Sequence, residues 1–255
     1  TVFATHSVNL STVNGSILDA FGDHATNVDT HELVLNAGTG GSGSIGSADN
    51  YLDIDLNQAD GRVTATAHDD AYIEEFAGDL RVNVITALNG NAGLRADASI
   101  VDVNNDDLSA PAANVNADSI ILQAGQRIGA AGANFEINTR RQLGDTGTLT
   151  AASELDARIV ESTDGVIDDL YLNTVTVGGG IAFLTTPGGR ILNGLPDDLS
   201  PEAYADVFGT QTGTALSGNV LFNDRDPNPT DTLTVNTTPV SGPAHGGLSL
   251  AADGS

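Results

Sequence analysis

Apolar and polar residues alternate over short spans along most of this chain. Leu52, Ile54 and Leu56 are separated by Asp53 and Asp55, and Leu80, Val82 and Val84 by Arg81 and Asn83. Leu170 and Leu172 repeat the pattern further on. A period of two is what a β-strand with one buried face produces, because successive side chains point to opposite sides. Turn formers punctuate these runs, as at Asn14-Gly15, Asp60-Gly61, Asn89-Gly90 and Gly188-Gly189. The pattern predicts many short strands and no long helix. No apolar run approaches the roughly 20 residues that a bilayer-spanning helix requires.

The strands fall into copies. Ser16-Ile17-Leu18-Asp19 returns as Ser99-Ile100-Val101-Asp102, Ile45-Gly46 as Ile128-Gly129, and Leu52-Asp53-Ile54 as Phe135-Glu136-Ile137, all 83 residues later. Asn27-Val28 and Leu35-Asn36-Ala37-Gly38 return as Asn114-Val115 and Leu122-Gln123-Ala124-Gly125 after 87 residues. Ile73 and Glu75 match Ile159 and Glu161 after 86, and Arg190-Ile191-Leu192-Asn193 opens a further copy. Small drifts between fixed apolar anchors are what insertions at turns leave behind. The copies run over about residues 16–98 and 99–189, with partial copies at both ends.

Two architectures suit such a sequence. A β-sandwich closes on itself within roughly a hundred residues and has no need of the next copy. A right-handed parallel β-helix stacks coils of roughly 20–25 residues, which makes each copy about four coils. Aromatic residues are only 4% of the chain. That scarcity favours the all-β solenoid, whose narrow interior takes ladders of small aliphatic side chains. Ile17 and Ile100 are then expected to point inward from equivalent positions.

Composition narrows the function. The chain has 255 residues, 34 of them Asp or Glu against 9 Arg and no Lys, for a formal charge of −25. Nucleic acid and anionic membrane surfaces are unsuitable partners for so acidic a protein. Cysteine is absent, which removes disulfides, thiolate metal sites and a cysteine nucleophile. Methionine is absent too, and the chain opens on Thr1 without a charged-then-apolar leader; it is read as an internal piece of a longer protein.

The blocks Gly15-Ser16-Ile17-Leu18-Asp19, Gly43-Ser44-Ile45-Gly46 and Ala71-Tyr72-Ile73-Glu74-Glu75-Phe76-Ala77-Gly78-Asp79-Leu80 resemble repeats of large secreted bacterial exoproteins of the filamentous-haemagglutinin type. The resemblance covers residues 1–195. It implies a β-helical shaft on an extracellular or cell-surface adhesin, and it brings no catalytic residue with it. Residues 196–200, with Pro196 and Pro201 around turn formers, read as a linker. Beyond it, the run Asn219-Val220-Leu221-Phe222-Asn223-Asp224-Arg225-Asp226-Pro227-Asn228-Pro229 is similar to bacterial cadherin-like and Ig-like tandem modules. So is Gly242-Pro243-Ala244-His245-Gly246-Gly247. This resemblance implies that residues 201–255 are the start of an Ig-like β-sandwich that binds calcium.

The chemistry of that run supports a cation independently of the family. Asp224, Asp226, Asn228 and Asp231 lie within eight residues, with Pro227 and Pro229 between them. Calcium takes 6–8 oxygen ligands at about 2.3–2.6 Å, and short carboxylates on a restricted loop supply them. The competing reading is a solvated acidic turn. These four residues are the expected calcium ligands.

Other constellations carry less. Asp53 and Asp55 share one face of a strand, and Asp69-Asp70, Glu74-Glu75, Asp106-Asp107 and Asp168-Asp169 add acidic points. Paired carboxylates serve glycoside hydrolysis, yet a solvated outward face or a turn explains such points better, and the second copy has Glu136 and Asn138 in place of the Asp53–Asp55 pair. The five histidines share no metal-ligand spacing between copies. The sequence therefore predicts a non-catalytic structural and adhesive segment whose partner is a glycan or protein on a surface. The alternative is a secreted carbohydrate-active β-helix enzyme, and a groove lined by two carboxylates and an Arg would favour it.

Overall fold

The computed structural model describes residues 1–104, 113–139, 147–162, 169–194, 201, 203–225 and 232–255. Contacts divide the chain into two compact units, Thr1–Leu195 and Pro196–Ser255. The first is an all-β parallel solenoid of about seven turns, with no helix among the described residues.

Its turns contribute alternately to two nine-stranded sheets. One runs through Val2–Phe3, Val28–Thr30, Leu52–Leu56, Ala71–Glu75, Ala92–Ala96, Ile120–Ala124, Leu149–Ser153, Leu170–Val177 and Ile191–Asn193. The other runs through Ser7–Ser11, Glu32–Ala37, Arg62–Ala67 and Leu80–Ala87, then Val115–Ala117, Phe135–Thr139, Ala157–Glu161 and Ala182–Thr185. The short strand Ile100–Asp102 lies beside Leu80–Ala87 as well. Every strand pair is parallel. A parallel ladder pairs both strand edges of each interior turn, which leaves the end strands with one unpaired edge each.

The interior is an aliphatic column. Leu33, Leu35, Ile54, Val63, Ile73, Leu80, Leu94, Ile100, Ile120 and Ile137 are all fully or almost fully buried, and Phe135 is the largest of the fully buried side chains among the described residues. Ile100 is completely enclosed, and Ile17 is half-buried against the same core. Both anchors point inward.

The copies recur in three dimensions with their pairing intact. Leu52 lies opposite Ile73, as Phe135 lies opposite Ile159. The bridges from Ile17 to Ile45 to Ala71 return as those from Ile100 to Ile128 to Ala157. Even the register shift returns, after Val63 in one copy and after Leu149 in the next. The copy nevertheless spans three and a half turns rather than four. Val28, Leu52 and Ile73 lie on the first sheet, and their counterparts Val115, Phe135 and Ile159 lie on the second. The cause is local: Ile100–Asp102 and Val115–Ala117 both pair with Leu80–Ala87, so the chain adds two successive segments to one sheet before crossing.

Two glycines fix the repeated corner. Gly46 and Gly129 have φ of 59° and 63°, a region that L side chains rarely adopt. A Cβ at Gly129 would sit 2.5 Å from the Arg158 carbonyl oxygen and 2.8 Å from the Phe135 nitrogen. Gly129→Ala should therefore cost about 2–4 kcal/mol through strain and overpacking. Chemical denaturation checks this, and a change below ~0.5 kcal/mol would contradict the corner's role.

The second unit shows turns and bends, with no strand among its described residues. Backbone bonds from Val220 N to Gly254 O at 2.9 Å and from Val235 N to Ala252 O at 3.0 Å draw its segments together. An Ig-like or cadherin-like sandwich is not seen there.

Candidate functional site

Inside the solenoid, polar side chains replace missing ladder bonds where the chain turns. Asp19 begins one such network: its carboxylate accepts bonds from Gly22 N at 2.6 Å and from Asn27 Nδ2 at 2.8 Å. Asn27 Oδ1 in turn accepts from Asp53 N at 2.9 Å. The next copy repeats this group for group, with Asn114 Nδ2 donating to Asp102 at 2.8 Å and Asn114 Oδ1 accepting from Glu136 N at 2.9 Å. Further along, Glu75 accepts from Leu56 N at 3.1 Å, as Glu161 accepts from Thr139 N at 2.8 Å. These acids are structural. Burial pushes the Glu75 carboxyl up to about 8, whereas the Asn27 amide, ahead of the Phe21 and Gly22 N–H groups, holds the Asp19 carboxyl below its ordinary range.

A different set of side chains stands on the outer face of the first sheet. In successive turns Asp53, Glu74, Arg95 and Gln123 lie in register. Alternation forces them outward, because Leu52, Ile54, Ile73 and Leu94 take the interior positions. One row away, Tyr51 and Tyr72 pack edge to face with centroids 5.3 Å apart, and the Arg95 guanidinium lies 3.9 Å above the Tyr51 ring. Gly93 makes room for them: a Cβ there would meet the Tyr51 hydroxyl oxygen at 2.5 Å. Arg95 also donates to Gln123 Oε1 at 2.8 Å and faces Glu74 Oε2 at 3.6 Å.

Over this face lies the loop between Asp19 and Asn27, pinned by the Asp19 bonds and by Asn50 Nδ2 donating to Asp19 O at 3.1 Å. His24 within it has a φ of 53°, the left-handed region that few residues with a Cβ occupy. Its Nδ1 reaches to 3.9 Å from Glu74 Oε1. His24, Glu74, Arg95, Asp97, Gln123 and Glu154 line a groove of about 530 Å³. Burial, ahead of the neighbouring Glu74 charge, raises the Asp53 carboxyl above its ordinary range.

Of the four expected calcium ligands, Asp226, Asn228 and Asp231 lie outside the described residues. Asp224 is described, and its carboxylate accepts a bond from Tyr204 N at 2.7 Å. Sequence reading singled out Asp53 with Asp55, but these do not act together: Asp55 points to the side of Asp29, and Asp53 to that of Glu74 and His24. It missed the combination with Arg95 and the tyrosines. The signal was there, since Asp53, Glu74 and Arg95 are spaced 21 residues apart, as are Tyr51, Tyr72 and Gly93. No family model, no curated protein and no solved structure matches the chain.

Proposed function

We propose that the chain is a non-catalytic structural and adhesive segment of a large extracellular or surface-bound bacterial protein, related to the filamentous-haemagglutinin type. One observation carries this reading: the two copies share their interior chemistry and not their surface. The Asp–Asn bridge, the buried Glu and the glycine corner occur twice. Yet Tyr72 and Glu74 correspond to Arg158 and Val160 in the second copy. A repeat that keeps only what holds its turns together is a scaffold. Residues 201–255 are the opening of a cadherin-like module, and the donor set of Asp224, Asp226, Asn228 and Asp231 suits calcium, which prefers oxygen ligands. The partner is a glycan or protein on a surface.

The groove beside Glu74 and Arg95 supports a second reading, a carbohydrate-active enzyme. Incubating the full chain with neutral and acidic polysaccharides separates the two. Binding without release of reducing ends or unsaturated uronates is the expected result. Release that Glu74→Gln abolishes would replace the scaffold reading with the enzymatic one. For the C-terminal module, calcium at a hundredfold excess over its Kd should add about 2.7 kcal/mol of stability. A calcium-dependent melting shift that Asp226→Ala removes is expected; an equal shift in that variant would refute the ligand set.

A further inference from the structure

The groove on the first sheet ends in a cluster that the interior network does not use. His24, Asp53 and Glu74 each offer one ligand atom, and these atoms lie within 4.8 Å of one another. Among the described residues it is the one such cluster. Asp53 is only 2% exposed, and no hydrogen-bond donor among the described residues engages its carboxylate. Glu74 Oε2 is likewise buried without a hydrogen bond. Its nearest cation, Arg95 Nη1, stands off at 3.6 Å. Buried carboxylates ordinarily have donors or a compensating cation, and two adjacent ones without donors are costly. Asp23 adds further negative charge to Asp53, leaving His24 as the group that offsets it.

We propose that His24, Asp53 and Glu74 bind one divalent metal ion of the zinc class. An imidazole nitrogen with two carboxylate oxygens is a donor set for zinc or its borderline neighbours rather than for calcium, which prefers oxygen alone. Bonds of about 2.0–2.2 Å place tetrahedral ligands about 3.3–3.6 Å apart. The His24–Glu74 pair already stands at 3.9 Å. The His24 side chain, 72% exposed, has room to make up the remaining closure. Three protein ligands leave a fourth position, and His24 and Glu74 both line the groove into which it opens. The ion joins the Asp19–Asn27 loop to two successive turns of the sheet. The second copy has no equivalent, because Val160 stands where Glu74 does.

The proposal does not depend on whether the solenoid is adhesive or enzymatic. Its test is titration of the full chain with cobalt(II), followed by visible absorption and by competition with zinc. One equivalent of cobalt with an intensified ligand-field band, displaced by zinc, is expected. His24→Ala and Asp53→Asn should each weaken binding at least about tenfold, the smallest loss typical even of residues that only support a metal ligand. Asp55→Asn, which alters the chain's charge outside the cluster, should leave it unchanged. If Asp53→Asn fails to fold by circular dichroism, His24→Ala decides alone. Absence of uptake, or uptake of equal strength in His24→Ala, would overturn the site.

Discussion

The solenoid becomes more stable as pH falls from 8 towards 4.5, the opposite of the usual carboxylate response. Glu75 is the cause. It points inward at the end of Ala71–Glu75, is 1% exposed, and burial raises its carboxyl from 4.5 to about 8. A raised folded-state value means that the folded chain binds the proton more tightly than the unfolded chain. The stabilisation is therefore fully present below 4.5 and is lost as pH rises through about 8. At about 1.36 kcal/mol per pKa unit, the swing is on the order of 4 kcal/mol. Asp53 and Asp55, also raised by burial, act in the same direction. Asp19 acts in the other: its lowered carboxyl stabilises above 3.8, so the gain reverses in stronger acid. Urea denaturation at pH 8, 6.5 and 5 measures the slope. Glu75→Gln keeps the oxygen that accepts from Leu56 N and removes the titration, so its stability should be nearly flat over this range. A slope unchanged in that variant would attribute the effect to repulsion among the chain's 25 excess negative charges instead.

Asn114→Ala gives the second large effect. Asn114 is completely buried, donates to Asp102 and accepts from the Glu136 N–H across adjacent turns. The variant withdraws one donor from a buried carboxylate and leaves a backbone N–H without its acceptor, at about 1–3 kcal/mol for each group. The sum, about 2–6 kcal/mol, is a large fraction of a domain's stability. Asn27→Ala breaks the same bridge in the first copy, but Asn27 is only half-buried, so water replaces part of the loss. The variants should rank with Asn114→Ala the more damaging, by thermal or chemical unfolding. Equal and negligible losses would show that the asparagine bridge is incidental to stacking.

The fold was largely legible because the residues that carry it lie on the chain as a pattern. Alternation located Leu52–Leu56 and Leu80–Ala87, and Ile17, Ile45 and Gly46 recurred with their counterparts at one offset. The half turn was not legible. Self-comparison measures residues per copy, whereas the number of strands per copy depends on how Ile100–Asp102 and Val115–Ala117 share one neighbour. The candidate site was legible only in pieces. Asp53 and Glu74 are conspicuous as acids, but His24 reaches them from a loop whose path is set by Asp19 and Asn50. No periodicity records that path. The 21-residue interval that joins Asp53, Glu74 and Arg95 is present in the sequence, and strand pairing identifies it as one turn.

A copy of three and a half turns has a consequence for valency. Equivalent strands of adjacent copies face opposite sides of the solenoid, and only every second copy returns to the same side after seven turns. A surface patch repeated in each copy would thus be offered alternately to left and right. A rod so decorated could bridge two bodies lying on either side of it rather than grip one along its length. Uniform display along one flank would require either patches on alternate copies alone or an insertion that makes up the missing half turn.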